Sequence, residues 1–383
     1  MTKGLVITER AGSEARTDVT TMRDSSPKAP TLSDVARAAG VSPYTVSVVL
    51  NGARSNTRVS DTTRKRILDS AADLRYHPNA LARSLAKRQT NTLGVLFGVV
   101  QSTAALSNAY ASGILQGIVA HAAARGYDVL LYTELWKDAE QSAARYRDRR
   151  TDGVIVVAPL TDMDVVAGLS TLHLPLVAVS AAPDACPEGV PNLDVDNGAG
   201  VRSAVDHLAS LGHRRIAHLT GDANVASVPL RRAAFEGAMA DLGLAVPPGY
   251  VVPCTYDAHT VPDALPPLLL SRPDPPTAVF AGNDNIAIAV LEFARRNGLR
   301  VPEDLSVVGF DDIPAASQVT PALTTLHQPL PEIGGAAADA LLDLLEPSPA
   351  GQDAAAALSP VPPTLIVRES TGPAPDPGKE RPL

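Results

Sequence analysis

The sequence predicts a multi-domain α+β chain, in which a small all-α module precedes a larger α/β part built on parallel sheets. Three observations carry this. Charge is split along the 383 residues: residues 31–90 hold ten Lys/Arg against four Asp/Glu, a net of +6, while residues 1–30 hold +1 and the remainder −15. Hydrophobic periodicity is helical and dense from Thr31 to Leu85 and changes at Thr92, where apolar runs of strand length begin to alternate with helical stretches. Neither end follows either pattern, because residues 1–30 are rich in Ser, Thr, Asp and Pro and residues 372–383 are polar and Pro-rich.

The helical module reads in order. Thr31 with Asp34 forms a capping box, Leu32, Val35, Ala36 and Ala39 share a face, and Gly40 stops the helix. Ser42 is an N-cap with Pro43 at the first helical position, and the second helix runs to about Leu50, where Asn51-Gly52 ends it. At about 100° per residue, Val46, Val49 and Leu50 share one arc while Tyr44 and Val48 lie opposite it. A third helix starts at Ser60 and carries Ile67, Leu68, Ala71 and Leu74. Two helices around a tight Gly-containing turn, with a third behind, make a helix-turn-helix arrangement. A basic block on an acidic body points to a polyanion-binding module; the alternative is a merely basic surface.

From Thr92 the spacing predicts strands over 93–100, 127–133, 153–159, 174–180, 215–221, 277–282 and 305–310, separated by helices over 107–125, 138–150, 161–171, 196–211, 228–243 and 282–297. Continuous apolar strands alternating with helices imply parallel sheets covered on both faces. Residues 92–370 are too many for one ordinary sheet, so two α/β subdomains are expected.

Composition excludes several classes. The chain is 45% hydrophobic and 19% charged, as a globular protein is, and no apolar run approaches the roughly 18–20 residues that cross a bilayer. The N-terminus lacks an uninterrupted apolar core. Cys186 and Cys254 have neither CxxC nor metal-ligand spacing, so a reducing cytoplasm without a structural disulfide is expected. No nucleophile elbow, phosphate loop, HExxH or dinucleotide fingerprint is present, so no enzyme activity, cofactor or metal is expected. His207, His213 and His218 span a helix, a turn and a strand, and their reading is structural.

The stretches TLSDVARAAGVSPYTVSVVLNG, RVSDTTRKRILDSAADLRYHPNALARSLAKRQTNTLGVL, HLASLGHRRIAHLTG, RRAAFEGAM, TAVFAGNDNIAIAV and LRVPEDLSVVGFDDIPAASQVTPALTTLHQP resemble, in order, those of bacterial repressors of the lactose/galactose repressor family. The resemblance implies a DNA-binding headpiece, a hinge helix and a two-lobed core like periplasmic binding proteins, which dimerises and senses a small molecule. The expected organisation is an N-terminal extension over 1–30, disordered; a headpiece over 31–77; a hinge and linker over 78–90; a core over 91–370; and a flexible tail over 371–383. Within the core, one lobe takes about 91–190 plus 328–356, and the other 191–327 plus 357–370.

An exposed Tyr44–Val48 pair suits a major groove, where a tyrosine can bond a base edge and a valine can meet a thymine methyl. Relatives often carry a polar or basic residue at Val48, so guanine readout loses its usual support there. By resemblance, Ser42, Thr45, Ser47, Asn51, Ser60 and Thr63 match positions that bond phosphates, with Arg58 and Arg64 supplying charge; the competing role of each Ser and Thr is capping. Asn79 can cap the hinge helix that the resemblance implies, and Ala82 and Leu85 match the pair whose leucine wedges into the minor groove; the alternative is an amphipathic linker packed on the core. The loop over 52–58 is about two residues longer than the family spacing.

Ligands of two-lobed α/β receptors sit beyond the strand C-termini. Arg231 matches the family's binding arginine and Asp284 its effector-contacting aspartate, beside Asn283; Tyr256 falls near an aromatic stacking position. Asn108 and Tyr110 lie at the edge of the first lobe. Ser180 replaces an aspartate common in the family and Ala109 a proline. The competing readings are a helix cap for Asp284, a surface ion pair for Arg231, and packing for the tyrosines. The expected partners are a pseudo-palindromic duplex operator, a sugar-like effector and a second copy of the chain, with no membrane. A solute-binding receptor and a sugar- or nucleotide-modifying enzyme are the alternatives.

Overall fold

In the computed structural model, residues 29–51, 58–77, 84, 89–98, 107–134, 136–346 and 360–376 are described. The chain divides into two units, 1–88 and 89–383.

The first unit contains three helices, α1 (Leu32–Ala39), α2 (Pro43–Asn51) and α3 (Asp61–Asp73). Each start is set by a hydroxyl cap. Thr31 and Asp34 cap each other reciprocally, Ser42 Oγ accepts from Thr45 N at 3.2 Å, and Ser60 Oγ accepts from Thr63 N at 3.3 Å. Such caps satisfy amides that a helix leaves orphaned. Val35, Ala36, Ala39, Val46, Ile67 and Ala71 close the core, with Val49 and Leu50 packed against it.

In the second unit, the first sheet comprises β1 (Thr92–Phe97), β2 (Asp128–Leu131), β3 (Gly153–Val157), β4 (Leu176–Val179) and β5 (Asn192–Leu193). Its order is β2-β1-β3-β4-β5, all parallel. Alternate residues face opposite ways. Leu93, Val95, Ile155 and Val157 join Ile114 and Ile118 of α4 (Ala109–Ala124) and Leu341 of α11 (Leu330–Leu345). Leu96, Val154 and Val156 instead meet Tyr146 of α5 (Ala139–Tyr146) and Leu169 of α6 (Val165–Ser170).

The second sheet is β7-β6-β8-β9, also parallel, from β6 (Ile216–Leu219), β7 (Val251–Val252), β8 (Ala278–Ala281) and β9 (Ser306–Val308). It is covered by α7 (Asn197–Ser210), α8 (Ser227–Asp241), α9 (Val261–Leu265) and α10 (Asp284–Arg296). β10 (Thr325–His327) and β11 (Thr364–Ile366) pair antiparallel. The chain then crosses from β10 into α11, which returns to the first lobe and packs along α4. That pair approaches closely because glycines line it: a Cβ on Gly117 would sit 1.9 Å from Pro331 O, and one on Gly334 2.0 Å from Ile114 O.

The structure amends two expected boundaries. Pairing of β5 with β4 carries the first lobe to Leu193, past residue 190. The tail expected to be free from residue 371 is fixed as far as Ala374, whose N–H donates to Leu211 O at 2.8 Å. Gly372 N donates to Ser306 Oγ at 3.1 Å, Gly372 O bonds His213, and His207 bonds Thr371 at 3.0 Å. These backbone groups lie against a buried sheet and are satisfied there. The histidines are structural, with His218 stacked on Phe280 at 4.8 Å. Residues 1–28 lie outside the described residues.

Candidate functional site

Two sites were anticipated, one in each unit. In the first unit, Tyr44 is 56% exposed and Val48 partly so, while Val46 is buried. α2 therefore presents Tyr44 outward from a side opposite its core contact. Ser42 and Thr45 hydroxyls lie 2.9 Å apart, and Ser60 and Thr63 repeat the distance. One bond between two hydroxyls engages one of their two protons, so each capping pair retains a donor. Ser47 is partly buried and its Oγ accepts from Asn51 Nδ2 at 3.3 Å. Asn51, expected at a phosphate, is instead 3% exposed, with its amide turned back along the helix to Ser47. Arg58 and Arg64 are exposed, with no ion pair to another described residue. The hinge residues Asn79, Ala82 and Leu85 lie outside the described residues.

The second unit holds a solvent-open cleft of about 800 Å³, lined from the ends of both sheets. Its walls are held in unusual backbone. Ala158 and Ser180, directly after β3 and β4, have φ of 46° and 52°; Asp311 and Asp312, after β9, have 120° and 58°. Non-glycine residues persist there only where surrounding contacts over-determine them, and such positions cluster at functional sites.

Asn108, Tyr110, Ser180, Arg231, Tyr256 and Asn283 all line the cleft. Asn108 caps α4 by accepting from Ala111 N at 3.0 Å. Tyr110 OH donates to Ser180 Oγ at 2.7 Å, and Ser180 Oγ donates to Asp194 Oδ1 at 2.8 Å. Asp194 also accepts from Val195 N and from Asn197 Nδ2. Asn197 Oδ1 in turn accepts from Arg231 Nε at 2.8 Å. The hydrogen bonds thus run unbroken from the first lobe, through the segment joining β5 to α7, into the second. Arg231 is 5% exposed, so it is not a surface ion pair; its Nη1 donates to Gly282 O and its guanidinium lies 3.5 Å from the Phe310 ring centroid. Tyr256 shares a hydrogen bond with Ser227 at 2.9 Å, and its ring lies against Gly221, where a Cβ would meet it at 2.3 Å. Asn283 caps α10 through Ile286 N and donates to Tyr256 O.

Asp284, expected to contact the effector, stands away from the cleft. It is 0% exposed and does not line the cleft. As first residue of α10 it points beneath the 311–313 loop, accepting from Thr325 Oγ1 and from Ile313 N at 2.8 Å. Asp311 takes the cleft position instead, with Gln328 Nε2 donating to its Oδ1 at 2.6 Å. Asp311 directly follows the expected strand over 305–310, so the rule that selected Asn283 and Asp284 could have found it. Asp194 follows β5, too short to be read from periodicity.

Burial pushes the Asp194, Asp311 and Asp284 carboxyls above the usual range, with the Asp311 charge adding to the rise at Asp284 and Arg231 opposing it at Asp194 and Asp311. Burial also raises Tyr110, next to the Asp194 charge. Among the described residues no cluster of His, Cys, Asp and Glu could hold a metal ion, and no helix is long and apolar enough to cross a membrane.

Residues 31–79 match the family described as bacterial regulatory proteins, lacI family, and residues 205–371 match a periplasmic binding protein-like domain. The ribose operon repressor of Escherichia coli (strain K12) is 36% identical over 320 residues, covering 82% of this chain and 92% of that protein. The HTH-type transcriptional repressor PurR of Aliivibrio fischeri (strain MJ11) is 33% identical over 324 residues, with 82% and 92% covered. The lac repressor dimer bound to operator and the anti-inducer ONPF superposes with a TM-score of 0.73 at 28% identity, covering 90% of this chain and all of that one.

Proposed function

Because the chain belongs to the lacI family of bacterial regulatory proteins, we propose that it is a transcriptional repressor whose hold on operator DNA is set by a small effector in the core cleft. It binds duplex DNA as a dimer through its helix-turn-helix unit. The observation that carries the reading is the pairing in one chain of a helix with Tyr44 turned to solvent and a polar cleft crossed by hydrogen bonds between lobes. In our reading, Tyr44 and Val48 face bases; Ser42, Thr45, Ser60, Thr63, Arg58 and Arg64 hold phosphates; and Asn79, Ala82 and Leu85 act in the minor groove. Tyr110, Ser180, Asp194, Arg231, Tyr256, Asp311 and Gln328 contact the effector. Its place is the cytoplasm, where its DNA is, and it acts by binding rather than by catalysis.

An effector that binds one placement of the lobes better than another shifts the population toward that placement, and the same free energy returns as a change in operator affinity. The test is footprinting of the full chain on genomic DNA. Discrete pseudo-palindromic sites are expected. Uniform, sequence-independent protection would overturn the proposal.

A further inference from the structure

If the chain is an operator-binding regulator, the first residues of its core bear on which operator it accepts. The core unit begins at Gln89, where the chain arrives from the DNA-binding unit. Its first three residues are each held by a side chain from elsewhere in the first lobe. Gln89 Nε2 donates to the Tyr127 hydroxyl, which donates in turn to Glu346 Oε1 at 3.1 Å. Thr90 N and Asn91 N donate to the two oxygens of the Asp152 carboxylate, each at 2.7 Å. Bonds to an ionised acceptor are roughly twice as strong as neutral ones. The segment also keeps two costly features: Asn91 has φ 52°, and Thr90 Oγ1 is buried with no hydrogen-bond partner among the described residues. Such features persist where the surroundings over-determine them. Asn91 O accepts from Asp128 N at 2.9 Å, so the turn feeds straight into β1, between β2 and β3.

The groups that hold the segment sit on rigid elements. Asp152 directly precedes β3, Tyr127 lies buried between α4 and β2, and Glu346 closes α11. Glycines lock α4 against α11, and Arg125 at the end of α4 pairs with Asp343 and Glu346 at 3.6 and 3.5 Å. Only residues 78–88 separate this anchor from the headpiece over 31–77. In a dimer on a pseudo-palindrome, two such short tethers start from two fixed points. Freeing residues 89–91 would lengthen each tether by up to about 10 Å, whereas one inserted base pair moves the half-sites apart by about 3.4 Å.

We infer that Asp152 and Tyr127 are positioning residues for operator binding: by fixing the start of the core they set the half-site spacing that the dimer accepts. The test is fluorescence anisotropy of the full chain on three duplexes of equal total length. One carries an operator found by footprinting, one the same operator with a base pair inserted at its centre, and one a scrambled sequence. The parent should bind the inserted operator weaker by about tenfold or more. Tyr127→Phe removes the bridging hydroxyl and keeps the ring, and Asp152→Asn replaces one acceptor oxygen with a donor. Each should bring that ratio below about threefold, with affinity for the scrambled duplex unchanged and hydrogen exchange over 89–92 faster. Glu346→Gln retains an acceptor for Tyr127 and should keep the parent's ratio. A parent indifferent to the inserted base pair, a ratio unmoved in both variants, or losses equal on all three duplexes and in step with a lower urea midpoint would overturn the inference. A parent that binds operator no better than scrambled duplex would overturn the regulator reading itself, so the two failures are separable.

Discussion

Asp284 and Asp311 are both buried carboxyls that follow strands of the second sheet, yet only Asp311 lines the cleft. Both stand just beyond the C-terminal end of a strand, but Asp284 opens a helix, and a helical side chain leans back toward the N-terminal end. Its carboxylate is drawn into the protein, onto Thr325 and Ile313, while Asp311 is held at φ 120° facing the cleft. Asp284 is pushed up to about 8, by burial first and then by the Asp311 charge. Such a group binds its proton more tightly folded than unfolded. Its contribution to stability is complete below the ordinary carboxylate value near 4 and is lost as pH rises toward 8. The urea midpoint should therefore fall between pH 5 and pH 9, and Asp284→Asn, which cannot ionise, should flatten the fall. A variant that declines as steeply as the parent would remove Asp284 as the cause. The residue scale is where sequence reading reached least far. Tyr110 and Ser180 are legible as cleft residues from their place after strands, and Arg231 and Tyr256 from the resemblance, but a sequence does not tell a side chain that enters the cleft from one that turns under it.

At the scale of elements, legibility followed burial. β1, β3, β4, β6 and β8 are covered on both faces, so they stand out as unbroken apolar runs. β5, β7, β10 and β11, at two or three residues each, are too short to show a period. α11 escaped for another reason: its sequence, LPEIGGAAADALLDLL, places a proline and two glycines where helix propensity is poorest. Those glycines have a packing role, because α11 and α4 approach until only hydrogen fits between them. Gly117→Ala would put a methyl 1.9 Å from Pro331 O, so the backbone itself must shift. A cost of about 1–3 kcal/mol is expected in urea unfolding, as for overpacking generally. Gly237, exposed within α8 with nothing within 4 Å of an added Cβ, gives the opposite sign. Gly237→Ala should gain about 0.5–1 kcal/mol from helix propensity alone. If the two changes moved stability together, close packing would not be what fixes Gly117.

For the whole molecule, the division of charge separates how tightly DNA is held from which DNA is chosen. The basic excess of +6 over residues 31–90 stands against −15 beyond residue 90, so attraction to phosphate belongs to the DNA-binding unit and its linker. Each phosphate neutralised releases counterions, and the slope of log K against log salt changes by about 0.9 per contact on duplex DNA. Arg58 and Arg64 are exposed and unpaired with any described residue. Replacing either with Ala should lower that slope by about 1.8 in a dimer, one contact per protomer, and weaken operator and scrambled duplexes alike. Leu85→Ala should behave differently. On the proposed role of Leu85 the change removes a wedge and no charge, so the salt slope should hold while operator affinity falls far more than affinity for scrambled DNA, since a kinked minor groove repays its cost only at the right site. Fluorescence anisotropy over a potassium chloride series, on both duplexes and with all three variants, reads slope and specificity together. Equal losses on the two duplexes for Leu85→Ala would assign that leucine to packing, and unchanged slopes for Arg58→Ala and Arg64→Ala would move the phosphate contacts elsewhere on the basic block.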